Sequence, residues 1–192
     1  SGPALADVLF GAVGPSGRLP VSFPREAGQV PYYYAHKPTG RPDPQPDKLD
    51  AFKTHYRSIP NSALFPFGHG LTYGRIDYDG LQASAAKLRP GEVLQVGARI
   101  HNRGRHAAEE VVQLYVRDRA ASVTRPVREL KDFRRIALAA GASATVTFTL
   151  RREDLLFVGQ DLKPTVEPGL FDLWIAPSAE AEGVHTTFEL LA

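Results

Sequence analysis

From Ile76 to the end of the chain, short runs in which every second residue is apolar recur with turn residues between them. That rhythm restricts this region to an all-β sandwich, because a period of two puts successive side chains on opposite faces of a strand. Leu94, Val96, Ala98 and Ile100 alternate with Gln95, Gly97, Arg99 and His101, and Val112, Leu114 and Val116 alternate with Gln113, Tyr115 and Arg117. Ala144, Val146, Phe148 and Leu150 alternate with threonines, Phe171, Leu173 and Ile175 with Asp172 and Trp174, and Thr186, Phe188 and Leu190 give a last strand. Each strand is expected to bury one face. Two of them share a launching turn, since Leu88 to Gly91 and Leu138 to Gly141 both end in a glycine suited to positive φ. The pattern predicts about seven strands, the size and rhythm of an immunoglobulin or fibronectin type III-like sandwich.

Upstream of Ile76 the chain changes character. Leu5, Val8 and Leu9 sit at helical spacing and Gly11 is placed as a C-terminal cap, which predicts two turns of helix over Ala4 to Phe10. Two turns do not hold themselves in water, so their apolar stripe needs partners. Leu19, Val21 and Phe23 alternate with Pro20, Ser22 and Pro24, a strand that proline confines to a sheet edge. Val30 to Leu64 has no periodicity and holds Pro31, Pro38, Pro42, Pro44, Pro46 and Pro60, with Asp43, Asp47, Lys48 and Asp50 between them, and reads as an extended, polyproline-like tether. Within it Tyr32, Tyr33 and Tyr34 are the exception, and the reading favours packing on protein over stacking on a sugar. Leu64 to Tyr73, LFPFGHGLTY, carries a core's worth of apolar surface that Pro66, Gly68 and Gly70 keep out of regular structure. It is expected to be an irregular plug between two bodies. The expected organisation is an α/β remnant over 1–30, a linker with the plug over 31–74 and a β-sandwich over 75–192, mainly β in all.

Several function classes are disfavoured by composition. The 192 residues carry 23 basic and 21 acidic side chains, a formal charge of +2, and no apolar run approaches a membrane span, so neither nucleic acid nor a bilayer is expected as a partner. Absence of cysteine removes disulfides, thiolate metal sites and thiol nucleophiles, and fits an oxidising or a reducing compartment equally. With no methionine and no leader at Ser1, the chain is expected to be a piece of something longer.

The plug resembles the Pro-Phe-Gly-x-Gly-Leu-Ser/Thr-Tyr signature near the end of glycoside hydrolase family 3 enzymes, the β-glucosidase family. ADVLFG at Ala6 to Gly11, PSGRLPVSFP at Pro15 to Pro24 and HKPTGRP at His36 to Pro42 follow that family's order. VVQLYVRD at Val111 to Asp118, RPVRELKDF at Arg125 to Phe133 and EPGLFDLWI at Glu167 to Ile175 are similar to its fibronectin type III-like C-terminal domain. The resemblance implies a non-catalytic C-terminal portion that braces an upstream barrel and α/β sandwich of the same protein, or a partner subunit, and a parent enzyme of the retaining β-glucosidase type acting on an oligo- or disaccharide. It places the nucleophilic aspartate and the acid/base glutamate upstream.

Glycoside hydrolysis needs two facing carboxyl groups, and no pair here is shown by sequence to converge. Glu109 and Glu110 are adjacent and point to opposite faces of an extended segment, while Glu153 and Asp154 follow Arg151 and Arg152 in a charged turn. No catalytic residue is assigned, and no cofactor or metal site is expected. His36, His55, His69, His101, His106 and His185 contain no i, i+4 pair, and His69 is expected to hydrogen-bond a neighbouring loop. The dense arginines Arg99, Arg103, Arg105, Arg117, Arg119, Arg125, Arg128, Arg134 and Arg135 are interleaved with acids and read as solvating a surface and pairing with carboxylates at a domain interface. The alternative function is a stand-alone carbohydrate-binding or adhesive module, with Tyr32 to Tyr34, Tyr56, Tyr115 and Trp174 as its platform.

Overall fold

The computed structural model describes residues 2–41 and 52–192. Pro42, Pro44, Pro46, Asp43, Asp47, Lys48 and Asp50 of the expected tether lie outside the described residues.

Ten strands follow one another from Ile76: β1 (Ile76–Ala83), β2 (Lys87–Leu88), β3 (Val93–Asn102), β4 (Ala108–Asp118), β5 (Glu129–Leu138), β6 (Ser143–Arg151), β7 (Phe157–Val158), β8 (Pro164–Thr165), β9 (Gly169–Ala176) and β10 (Val184–Leu190). Seven of these ten are seven or more residues long. They form a three-stranded sheet in the order β1-β3-β6 and a five-stranded sheet in the order β2-β10-β9-β4-β5, with β7 and β8 a small separate ribbon. The chain is mainly β, as the alternation requires. Leu94, Val96, Ala98 and Ile100 on β3 and Val146, Phe148 and Leu150 on β6 face Val112, Leu114, Val116, Phe171, Leu173, Ile175 and Phe188 from the other sheet, and these residues are the core. Phe171 and Phe188 stack at 5.2 Å between centroids.

Two of the long strands, β1 and β5, are not among the five named from the alternation. In β5, ELKDFRRIAL, charged residues interrupt the apolar phase, and a register shift opposite Leu114 and Tyr115 breaks it again. Pairing with β4 along Ala108 to Val116 makes it an edge strand nonetheless.

A second difference concerns burial. On β3 alternate residues are buried, as expected of a strand with one solvated face, but β4 is buried on both. Gln113 and Tyr115, assigned outward by the alternation, are 3% and 0% exposed. What covers them is the segment before Ile76.

That segment begins with helix α1 (Gly2–Leu9), one residue short of the expected end, and none of its residues is buried. The expected strand over Leu19 to Phe23 is corrected to an irregular ribbon with the plug. Leu19 N–H donates to His69 O at 2.9 Å and Phe23 N–H to Phe65 O at 2.8 Å, a register that pairs the two segments antiparallel. Between those rungs Phe67 N–H turns to the Ser22 hydroxyl at 3.0 Å, and Pro20, Pro24 and Pro66 have no N–H to offer. The tether is anchored where it meets this ribbon: buried Gln29 accepts from Arg25 N–H at 2.6 Å and donates to Pro60 O at 3.0 Å, and Arg25 donates to the Ser62 hydroxyl at 3.1 Å.

Candidate interdomain interface

The outer face of the five-stranded sheet receives the plug through three aromatic rings. Phe67 stacks on Tyr34 at 4.1 Å with 14° between the planes, and Tyr34 meets Tyr115 edge-on at 6.4 Å. Such pairs exceed their area burial alone by about 0.5–1.5 kcal/mol. Burial holds the Tyr115 phenol above its ordinary range, so it stays protonated and donates to Gln113 Oε1 at 2.5 Å. Gln113 Nε2 then donates to Pro177 O at 2.6 Å and to Gly68 O at 3.3 Å. One carboxamide thereby joins the strand, the plug and the loop after β9. Gly68 has φ +80, and a Cβ there would overlap the Gln113 carboxamide, so both backbone and space demand glycine. At Gly70 the limit is one of space, since a Cβ would meet Gly17 O and the Arg18 side chain.

The β9–β10 loop, residues 177–183, is a clamp. Ala179 N–H donates to Phe67 O at 2.9 Å. Glu180 accepts from the Tyr32 hydroxyl at 2.8 Å and from Ala63 N–H at 3.3 Å. Burial and then Glu180 push the Tyr32 phenol upward, keeping it a donor. The loop itself is fastened by Arg128, which lies 4.2 Å over the Trp174 ring and donates to Ala179 O at 2.7 Å and Ala181 O at 2.8 Å. Burial lowers that guanidinium to about 10, still cationic at neutral pH.

A buried ion pair ties the ribbon to the sandwich a second time. Arg18 Nη2 lies 2.8 Å from Glu110 Oε1, with side chains 9% and 3% exposed. Glu110 Oε1 also accepts from Val111 N–H at 3.0 Å. The Tyr78 hydroxyl from the opposite sheet is buried beside this pair, and burial, then Glu110, hold its phenol far up.

Away from the sandwich the same segment is apolar and bare. Leu5, Leu9, Phe10, Val13, Val21, Phe23, Leu64, Phe65, Leu71 and Tyr73 are all exposed, Phe10 at 88% and Leu71 at 71%. Scattered exposed apolar residues are ordinary, but this many within one segment mark an interaction surface. Tyr73 helps to hold it in place, its hydroxyl donating to Val8 O at 2.5 Å. Among the described residues, the plug is packed on one side only.

The residues singled out by sequence fall into place accordingly. Tyr34 packs, Tyr32 bonds Glu180, and Tyr33 is exposed. The six-ring platform is not assembled: Tyr115 is sealed, and Trp174 is flanked by Arg128 and by His185 at 4.8 Å. His69 bonds the neighbouring segment through its main-chain carbonyl, while its ring lies against Phe65 at 5.0 Å. Glu109 and Glu110 do diverge, the first to Arg135 and the second to Arg18. Arg99, Arg103, Arg119, Arg125 and Arg134 each pair with a carboxylate. No group of three metal-ligating side chains occurs among the described residues. Arg18, Gln113 and Glu180 have no role in the sequence reading, and Arg128, expected to pair with a carboxylate, instead holds the carbonyls of Ala179 and Ala181. The available signal was a lone polar residue in a strand, Gln113 within VVQLYV, which needs a partner when covered.

Residues 1–73 match the Glycosyl hydrolase family 3 C-terminal domain and residues 110–179 the Fibronectin type III-like domain. A periplasmic beta-glucosidase of Salmonella typhimurium is 39% identical over 190 residues, covering 99% of this chain and 25% of that protein. A beta-xylosidase of Formosa agariphila is 39% identical over 186 residues, covering 97% of this chain and 25% of its own length. The solved beta-glucosidase of Listeria innocua in complex with glucose superposes with a TM-score of 0.90 at 39% identity, over 100% of this chain and 26% of that one. This chain therefore spans about a quarter of these relatives, at 25% and 26% of their length.

Proposed function

The chain belongs to glycoside hydrolase family 3, carrying its C-terminal domain and its fibronectin type III-like domain, and from that premise we propose that it braces the catalytic body of a β-glucosidase-type enzyme. The observation that carries this reading is the two-sidedness of the described residues before Gly74, which are locked to the sandwich on one side and apolar and bare on the other. The occupant of the bare side is the remainder of the same polypeptide, expected to be a barrel and an α/β sandwich; the relatives, single chains about four times as long at 25% coverage, support it. The whole protein would hydrolyse terminal β-linked glucosyl residues of an oligo- or disaccharide with a nucleophile and an acid/base that lie in that remainder. The 192-residue chain alone would hydrolyse nothing. Nothing favours nucleic acid, since Arg99, Arg103, Arg119, Arg125, Arg134 and Arg135 each pair with a carboxylate, and no helix among the described residues is long and apolar enough to cross a membrane.

The test is to place charges on the bare side of the full-length protein. L9D with F65D should lower both the thermal midpoint and hydrolysis of an aryl glucoside, while the same pair in the 192-residue chain leaves the unfolding of its sandwich unchanged. A full-length protein indifferent to both substitutions would overturn the docking reading.

A further inference from the structure

The three-stranded sheet has a hollow on its outer face, on the opposite side of the sandwich from the plug. The hollow is shallow and open to solvent, about 580 Å³, and is lined by Asp79, Gln82, Gln95, Arg99, Thr145 and Thr147 with glycines between them. Its floor is Gly97, which sits between Gln82 on β1 and Thr147 on β6 and contributes no side chain. A register shift between Asp79 and Gln82 interrupts the ladder of β1 along that side of the hollow. Three strands span about 10 Å from edge to edge, the length of a disaccharide.

The chemistry of the lining selects the ligand. Arg99 and Asp79 pair through two hydrogen bonds at 2.9 and 3.3 Å and cancel each other's charge. No aromatic or large aliphatic side chain lines the hollow. Main-chain groups at its floor are consumed in the β1-β3-β6 ladders, so a ligand lying across this face meets side chains. What remains are carboxamides and hydroxyls that can each donate and accept: Thr149 donates to Gln95 Oε1 at 3.1 Å, and Gln82, Thr145 and Thr147 are exposed. A neutral, polar, short trough of this kind suits a neutral polyhydroxylated chain. We propose that the outer face of β1-β3-β6 is a low-affinity subsite for a neutral oligosaccharide, held by Gln82, Gln95, Thr145 and Thr147. It goes beyond bracing, the reading on which it rests for the full-length protein, because the plug packs on the other sheet.

The experiment is affinity electrophoresis of the full-length protein in gels containing a soluble neutral β-glucan, with amide chemical shifts of the 192-residue chain titrated with cellotetraose and laminaritetraose as the second measurement. Retardation and saturable shifts centred on Gly97 and on the Gln82 and Gln95 carboxamides are expected. Q82A with Q95A should weaken binding about tenfold, two modest hydrogen bonds' worth, while hydrolysis of an aryl glucoside is unchanged. Shifts centred on Tyr33 or Trp174, preference for an anionic polysaccharide, or binding indifferent to the paired substitution would each overturn the proposal. So would the absence of retardation together with the absence of saturable shifts.

Discussion

The two sheets of the sandwich share one core but treat their outer faces differently. On the three-stranded sheet the outer residues of β3, Gln95, Gly97 and Arg99, meet solvent, and the alternation of burial is regular. On the five-stranded sheet the equivalent face of β4 is sealed by Tyr34 and Phe67, so that Tyr115 is as buried as Leu114. The same period-two sequence therefore yields a half-buried strand in one case and a fully buried one in the other. The difference lies in what sits on top. A face that is to be covered by chain of low regularity must carry groups that can hold main-chain carbonyls, and Gln113 and Arg128 do so where the bare face has only threonines and solvated pairs.

Substitutions can break this contrast, and the largest effect belongs to the buried ion pair. E110A leaves the Arg18 guanidinium enclosed without its carboxylate, and the expected cost is about 3–5 kcal/mol, read from urea unfolding of the chain. F67A comes next, removing the ring that Tyr34 stacks on, at about 3 kcal/mol, with faster amide exchange from residues 64–69 as the local signature. G68A forces a side chain into a left-handed backbone and against Gln113, for about 1–3 kcal/mol. If these three substitutions change stability no more than T145A on the bare face, the covered face is not a structural seam.

Acid titration sharpens the comparison with smaller effects of opposite sign. Burial pulls the Asp172 carboxyl upward, but hydrogen bonds from Arg119 and His185 outweigh it and leave the group below its ordinary value. A carboxyl depressed by folding adds stability above its unfolded value, about 3.9, and that stability is lost as pH falls through the folded value. D172N should therefore narrow the gap between urea midpoints at neutral and acid pH. Asp118 is the reverse: burial raises it, so its charge opposes folding above that raised value, and D118N should raise the midpoint at neutral pH but not in acid. Smallest of all, T145A and Q95A on the bare face should stay within about 0.5 kcal/mol of the parent chain.

Much of the sandwich was legible because its information is local. The launching turns ending in Gly91 and Gly141 have φ +78 and +73, and the strands read from alternation at Leu94, Val112, Ala144, Phe171 and Thr186 are all present. β5 escaped because Lys131, Asp132, Arg134 and Arg135 mask its phase, the composition that an edge strand tolerates and often requires. Leu19 to Phe23 misled in the other direction. Its alternation is real, but Pro20 and Pro24 remove the donors that a continuous ladder needs, so only its ends pair with the plug.

The sequence by itself determined the two-sheet sandwich, the irregularity of Leu64 to Tyr73 and the helical turn at its start, since each follows from periodicity, proline or glycine within a few residues. Only the tertiary structure decided which apolar groups are covered. Tyr34 joins Phe67 across 33 positions of chain and Tyr115 across 81, while Leu71 and Phe65, beside Phe67 in sequence, face outward. A hydrophobic residue carries no address for its partner; burial is set by which surfaces meet, and that is a property of the whole folded chain.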